Sequence, residues 1–430
     1  MSNQLQENLH MHDGAVAPES PATGDLNKIQ LVPRITVQAF CETDIVSQTI
    51  DMAARDRRMS RATVKVLNGG LASAVECFQS APTPNLIIIE TKLNGSELMT
   101  GLGRLAEVCD MDTKVIVVGH RNDITLYREL ISNGVSDYLV APLSMADLMS
   151  AISDIFIDPE AGPLGKVLAF IGAKGGVGSS TVCHNVAWTI SSRYSSEVIL
   201  TDMDLAFGTA NINLDQDPPQ GIAEAVYSPD RMDDILLDRL LAKCADHLNL
   251  LAAPSTLDRT YDFTQDAFNG VLEVAQRSSP MVVLDLPHQW TAWTRHILSI
   301  ADEVVITASP ELANLRNTKN LLDKLGELRP NDTLPKLVMN QVGVPKRPEI
   351  SVADFIRPLD VQPAAVIPFD PALFGMASNN GQMISEADPK SSIVGSIEYL
   401  TQLVTGKAEM KVEKKGSLGI LSKLKLGKKK

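Results

Sequence analysis

The stretch "FIGAKGGVGSSTVCHNVA", residues 170–187, joins the end of an apolar strand to a glycine-rich loop and the start of a helical pattern. In such a loop the backbone N–H groups and the helix N-terminus converge on one point, which makes an anion site. The general phosphate-loop pattern is G-x-x-x-x-G-K-[ST], whose lysine neutralises the terminal phosphates and whose hydroxyl ligates magnesium. Here Ala173 stands for the leading glycine, and Ser179 stands where the lysine belongs. As a bare pattern this is a failed match, so the surrounding sequence has to decide between a phosphate cradle and a chance glycine turn.

Working outward, "KVLAFIG", "EVILTD", "LNLLAAP", "MVVLDLP", "EVVITAS", "KLVMNQV" and "AAVIPF" read as seven strands, most of them separated by helical patterns. Short apolar strands alternating with helices imply a doubly wound parallel sheet, with ligands outside the strands' carboxyl ends. Acidic residues stand at those ends: Asp202 and Asp204 in "VILTDMDLAFG" and Asp285 in "MVVLDLP". One strand-end aspartate is as well explained by a cap or turn; the ordered combination of loop and acids suits magnesium and phosphate chemistry.

The first half reads the same way. Apolar runs "ITVQAF", "ATVKVL", "NLIIIE", "KVIVVG" and "DYLV" predict five strands with helices between them, again a parallel sheet covered on both faces. "IDPEAGPLG" carries two prolines and two glycines and reads as a linker. The expected organisation is a polar arm over 1–33, a first α/β domain over 34–157, a linker over 158–165, a second α/β domain over 166–405 and a basic tail over 406–430.

The chain has 430 residues and a formal net charge of −13, yet residues 407–430 carry nine lysines against two glutamates. An acidic body excludes a broad nucleic-acid footprint, so DNA is not the expected partner. In "SLGILSKLKLGKKK", Leu418, Ile420, Leu421 and Leu424 fall on one side of a helix. That tail suits an anionic membrane interface, a docking partner or a solubilising role. The N-terminus lacks the basic start and apolar middle of a secretion signal, so a cytoplasmic location is expected. The five scattered cysteines read as reduced.

"PNLIIIETKLNG" and "GVSDYLVAPLSMADL" make the first domain resemble a response-regulator receiver, a flavodoxin-like fold. Glu90, Gly119 and Ala141 occupy the places of the phosphoacceptor aspartate, the hydroxyl and the lysine. The resemblance therefore implies a pseudo-receiver that serves as an interaction surface.

"AKGGVGSSTVCHNVA", "DMDLAFG", "VVLDLP", "ADEVVITASPELANLRNTKNLL" and "LVMNQV" make the second domain resemble the ParA/MinD group of ATPases over about residues 165–405. The resemblance implies ATP and Mg2+ as cofactors and an ATP-sandwiched homodimer. Lys174 would reach the partner's phosphates, and Gly175, Gly176, Val177, Gly178 and Ser179 would form the loop. Ser180 would ligate magnesium, Thr181 would meet the α-phosphate, and Asp204 would orient the attacking water. Asp285 would hold magnesium through water, Asn340 would face the adenine, and the backbone from Pro368 to Asp370 would close the base pocket.

A pseudo-receiver ahead of such a domain resembles the CpaE/TadZ family of Flp/Tad pilus assembly. That implies a factor that recruits pilus secretion machinery proteins and sits peripherally at the inner membrane or a cell pole. With Ser179 in place of a lysine, a site loses a cation that commonly contributes a hundred- to thousand-fold in rate, on the order of several kcal/mol. Weakened nucleotide affinity and slow or absent hydrolysis are expected; a slow positioning ATPase and a nucleotide-independent scaffold remain as alternatives. His288 reads as an exposed or capping histidine. Trp188, Trp290 and Trp293 read as packing residues, the last two alternatively as part of a dimer surface.

Overall fold

The structure is a computed structural model that describes residues 26, 29–156, 164–257 and 259–407. Most of the expected arm, most of the expected linker and the tail beyond residue 407 lie outside the described residues. The chain divides into two compact units, 1–161 and 162–430.

In the first unit β1 (Thr36–Cys41), β2 (Thr63–Asn68), β3 (Leu86–Glu90), β4 (Lys114–Gly119) and β5 (Asp137–Val140) pair in the order β2-β1-β3-β4-β5, all parallel. All five predicted strands are present. Successive residues point to opposite faces of a strand, so Ala39, Ile88 and Val118 enter one apolar cluster while Phe40, Ile87, Ile89 and Val117 enter another. Two buried faces explain why the inner strands, β3 above all, read as continuous apolar runs, whereas the edge strand β2 is only partly buried.

The second unit holds an eight-stranded sheet of β6 (Lys166–Gly172), β7 (Val198–Asp202), β8 (Ala242–Ala245), β9 (Leu248–Leu251), β10 (Met281–Asp285), β11 (Glu303–Ala308), β12 (Lys336–Val342) and β13 (Pro363–Pro368). The order is β13-β12-β11-β6-β10-β7-β9-β8. The phosphate-loop strand β6 is central, between β11 and β10, and β7 follows β10. The strand-end acids are thereby carried to the loop's side of the sheet.

Seven predicted strands are confirmed, and β8 is added as an antiparallel edge paired to β9. "AKCA" is four residues without a β-branched or aromatic side chain, so only its tertiary pairing makes it a strand. The helix Ser179–Tyr194 is buried along nearly its whole length, including Val182 through Ala187. It lies between the sheet and the last helix, Ser392–Thr405, and so has no solvent face to give an amphipathic pattern.

Candidate functional site

β6 runs into the loop at Gly172, and the chain must then double back to start the helix at Ser179. Gly176 and Gly178 make that turn with φ of +79° and +85°, a region costly for residues with a Cβ. At Gly178 a Cβ would also stand 2.5 Å from Asn340 Nδ2.

Four side chains hold the loop from outside. His288 Nδ1 lies 2.8 Å from Gly172 O, Asn317 Nδ2 donates to Ala173 O at 2.8 Å, Gln341 Nε2 to Gly176 O at 2.9 Å and Asn340 Nδ2 to Val177 O at 2.8 Å. Because C=O and N–H of a trans peptide point in opposite directions, the amides of Lys174, Val177 and Gly178 face away from these clamps. None of the four clamps belongs to the phosphate-loop pattern. In the sequence Asn340 and His288 stand out for other roles, whereas Asn317, inside the helix Leu312–Leu328, and Gln341, on β12, carry no signal of their own.

Two strand ends bring Asp285 and Asp202 side by side, paired in register on β10 and β7. Asp202 accepts from the amides of Asp204 at 3.1 Å and Ala210 at 3.0 Å. Burial first, and the neighbouring Asp285 charge second, push its carboxyl up to about 7. Burial likewise raises the Asp204 carboxyl, whose Oδ1 accepts from Phe207 N at 3.1 Å. Asp285 is 3% exposed; His184 Nε2 lies 3.0 Å from its Oδ2, while Oδ1 has no partner. His184 was missed at the sequence level, since one histidine amid buried apolar positions carries no pattern.

The other expected residues fall as follows. Lys174 Nζ donates to Glu311 Oε2 at 3.0 Å and is half exposed. That bond, with help from Arg347, holds the Glu311 carboxyl below its usual range. The Ser179 hydroxyl is buried and unpartnered. Ser180 and Thr181 line a polar cavity of about 210 Å3 with His184, Asn185 and Asn213. Asn340 is nearly buried, with its amide nitrogen committed to Val177 O. Pro368 ends β13, and Asp370 Oδ1 caps the helix Pro371–Asn379 by accepting from Leu373 N at 3.0 Å. Trp293 is in the core, Trp290 is exposed, and His288 is exposed as well as being a loop clamp.

The residues present fit a magnesium nucleotide. Two buried oxygens, Ser179 Oγ at the start of the helix and Asp285 Oδ1 at the end of β10, lack partners. Among the described residues no cluster of three or more acidic, histidine or cysteine side chains could hold a metal alone. Magnesium carried by phosphates needs only one or two protein ligands, a demand Ser180 and Asp285 could meet.

In the first unit Glu90 is fully buried. Its Oε2 accepts from the amides of Glu42 and Thr43, both at 2.8 Å; its Oε1 accepts from Thr43 Oγ1 at 2.6 Å and lies 3.1 Å from His120 Nε2. Both oxygens of the carboxylate are therefore already engaged by the protein itself.

A family model described as an AAA domain matches residues 165–337. The septum site-determining protein MinD of Bacillus subtilis is 22% identical over 268 residues, 61% of this chain and 97% of that one. The solved ParA family ATPase of Chlorobium tepidum is similar in fold, with a TM-score of 0.51 at 22% identity over 55% of this chain and 98% of that one. The solved pilus assembly protein CpaE of Caulobacter crescentus is 47% identical, over 30% of this chain and 98% of that one, with a TM-score of 0.30. In that last match it is the sequence identity, carried through nearly the whole of the solved chain, that establishes kinship. The chain belongs to the CpaE-type family of ParA/MinD-like ATPases.

Proposed function

We propose that this protein is a localisation and recruitment factor for Flp/Tad-type pilus assembly that binds ATP with Mg2+, dimerises on it and hydrolyses it slowly or not at all. One observation carries the reading: the loop is clamped in a phosphate-binding shape, yet a buried, unpartnered serine hydroxyl stands where a lysine would supply charge. Bound magnesium would supply charge neutralisation, held through Ser180 and Asp285. The loop amides and Thr181 would bind the remaining phosphate oxygens, and the segment Pro368 to Asp370 would lie by the base.

Dimerisation is supported by the surface around this site. Phe207, Trp290 and Leu312 are 72%, 48% and 72% exposed, and they follow the carboxyl ends of β7, β10 and β11. Large apolar side chains gathered around one site suit a partner surface. Lys174 is held by Glu311 of its own chain, so reaching a second copy requires that pair to open.

The first unit acts in this reading as a pseudo-receiver, an interaction module. Its Glu90 fills with its own hydrogen bonds the place where a phosphoryl group would need free donors. Recruitment to an anionic inner-membrane surface rests on the lysine-rich sequence 406–430.

The test is light scattering with ATP and Mg2+, run beside phosphate release. A rise to the dimer mass with little phosphate release is expected; no nucleotide binding and no change of mass overturns the reading. A slow ATPase is the second reading, favoured by the partly buried Asp204 carboxyl with its raised affinity for protons, as a base requires. Steady phosphate release abolished by Asp204→Ala would decide for it.

A further inference from the structure

The geometry points to His184 as a positioning residue that sets the Asp285 carboxylate for magnesium, with Asn213 behind it. This rests on the reading that Asp285 faces a magnesium nucleotide. The helix Ser179–Tyr194 packs against β10, and its first turns bring position 184 beneath the strand end that carries Asp285. His184 is 1% exposed among buried apolar neighbours, where an imidazole with unmet polar atoms would be costly.

Both ring nitrogens are engaged. Asn213 Nδ2 lies 3.1 Å from Nδ1, and the Asn213 amide oxygen lies on the side of Ser378 Oγ at 3.5 Å. An amide nitrogen only donates, so Nδ1 accepts. The proton then sits on Nε2, which donates to Asp285 Oδ2 at 3.0 Å.

The chain Asn213 to His184 to Asp285 thus uses one carboxylate oxygen and fixes the side-chain rotamer. Oδ1 is left buried and without a partner. A buried carboxylate oxygen with no donor is unfavourable, and a hydrated cation beside the phosphates satisfies it. Partners of this kind, one bond removed from a metal, commonly contribute about 10- to 100-fold in metal affinity. Nothing in the phosphate-loop pattern calls for a histidine here; the assignment comes from the two contacts and the orphaned oxygen.

The experiment titrates ADP into the full chain, in EDTA and in excess magnesium, and takes the ratio of the two affinities as magnesium's contribution. For His184→Leu that contribution should fall by about 10- to 100-fold, with ADP affinity in EDTA unchanged. His184→Gln, which can both donate to Asp285 and accept from Asn213, should restore most of it. Asn213→Ala, at a half-buried position, should lower it by a smaller factor and keeps the test open if His184→Leu does not fold.

Equal loss in EDTA and in magnesium would mean a merely structural role and overturns the inference. So does a magnesium contribution that both His184→Leu and Asn213→Ala leave intact. A wild type that binds ADP with no gain from magnesium overturns the Asp285 reading itself, which is a different result.

Discussion

Substituting Gly178→Ala tests whether the phosphate loop is clamped as described. The added methyl meets two obstacles: a φ of +85°, and Asn340 Nδ2 at 2.5 Å from the new Cβ. A left-handed conformation costs a residue with a Cβ about 1–2 kcal/mol. Displacing Asn340 breaks its bond to Val177 O and leaves buried polar atoms unmet, about 1–3 kcal/mol more. The expected destabilisation is therefore about 2–5 kcal/mol by these two principles.

All three tryptophans, Trp188, Trp290 and Trp293, lie in the second unit, so tryptophan emission during urea unfolding reads that unit within the full chain. The double variant Gly178→Ala/Asn340→Ala removes the obstructing amide, and the broken hydrogen bond is then counted once. Its cost should fall short of the sum of the single variants by about 1–3 kcal/mol. A Gly178→Ala protein within about 0.5 kcal/mol of wild type, the range of a neutral surface change, or strict additivity of the pair, would refute the clamp. Nucleotide binding should weaken in Gly178→Ala, because a displaced Asn340 no longer holds Val177 O and with it the Gly178 amide of the same peptide.

Ser179→Lys should raise phosphate release by about a hundred- to a thousand-fold if the missing cation limits turnover; no increase, with nucleotide still bound, would place the block elsewhere. Glu311→Gln should favour ATP-dependent dimerisation by less than about tenfold, because an exposed pair such as Lys174 with Glu311 contributes only about 0–1 kcal/mol, and weaker dimerisation would speak against Lys174 acting across a dimer. Asp202 prefers its proton up to about pH 7 in the folded chain against 3.8 unfolded. Between those limits the folded state binds the extra proton, so the Asp202 contribution to apo stability is fully present below 3.8 and is lost as pH rises through the window, by roughly 4 kcal/mol at most. Metal-free thermal unfolding from acid to neutral pH should show Asp202→Asn losing less stability than wild type, and parallel curves would sink the assignment. Glu90→Gln should destabilise the first unit by about 1–3 kcal/mol, since its new amide nitrogen faces groups that donate; circular dichroism of the full chain would detect the loss, and an unchanged transition would contradict the buried clamp.

Much of this architecture was legible because both sheets are buried on two faces. Strands of that kind appear as apolar runs such as "NLIIIE" and "MVVLDLP", and twelve of the thirteen strands stood out in that way. The exception, β8, exists through its pairing with β9 and has little pattern of its own. The helix after the loop carried a different difficulty, since a segment buried all round shows no polar face.

The candidate site divides along the same line. A loop between β6 and its helix is local chemistry, so the glycines at positive φ, the serine in place of lysine and the acids at strand ends could be read from residue order alone. The side chains that give this loop its shape come from far along the chain: Asn317, Asn340 and Gln341 are more than 140 residues from the carbonyls they bind. Likewise His184 meets Asp285 across 101 residues of sequence, and Lys174 meets Glu311 across 137. Residue order determined a glycine turn between a strand and a helix, with two carboxylates at neighbouring strand ends. Which carboxylate oxygen stays free, and that Lys174 pairs with Glu311, depended on the strand order β11-β6-β10-β7, which brings distant strand ends within hydrogen-bond reach of one another.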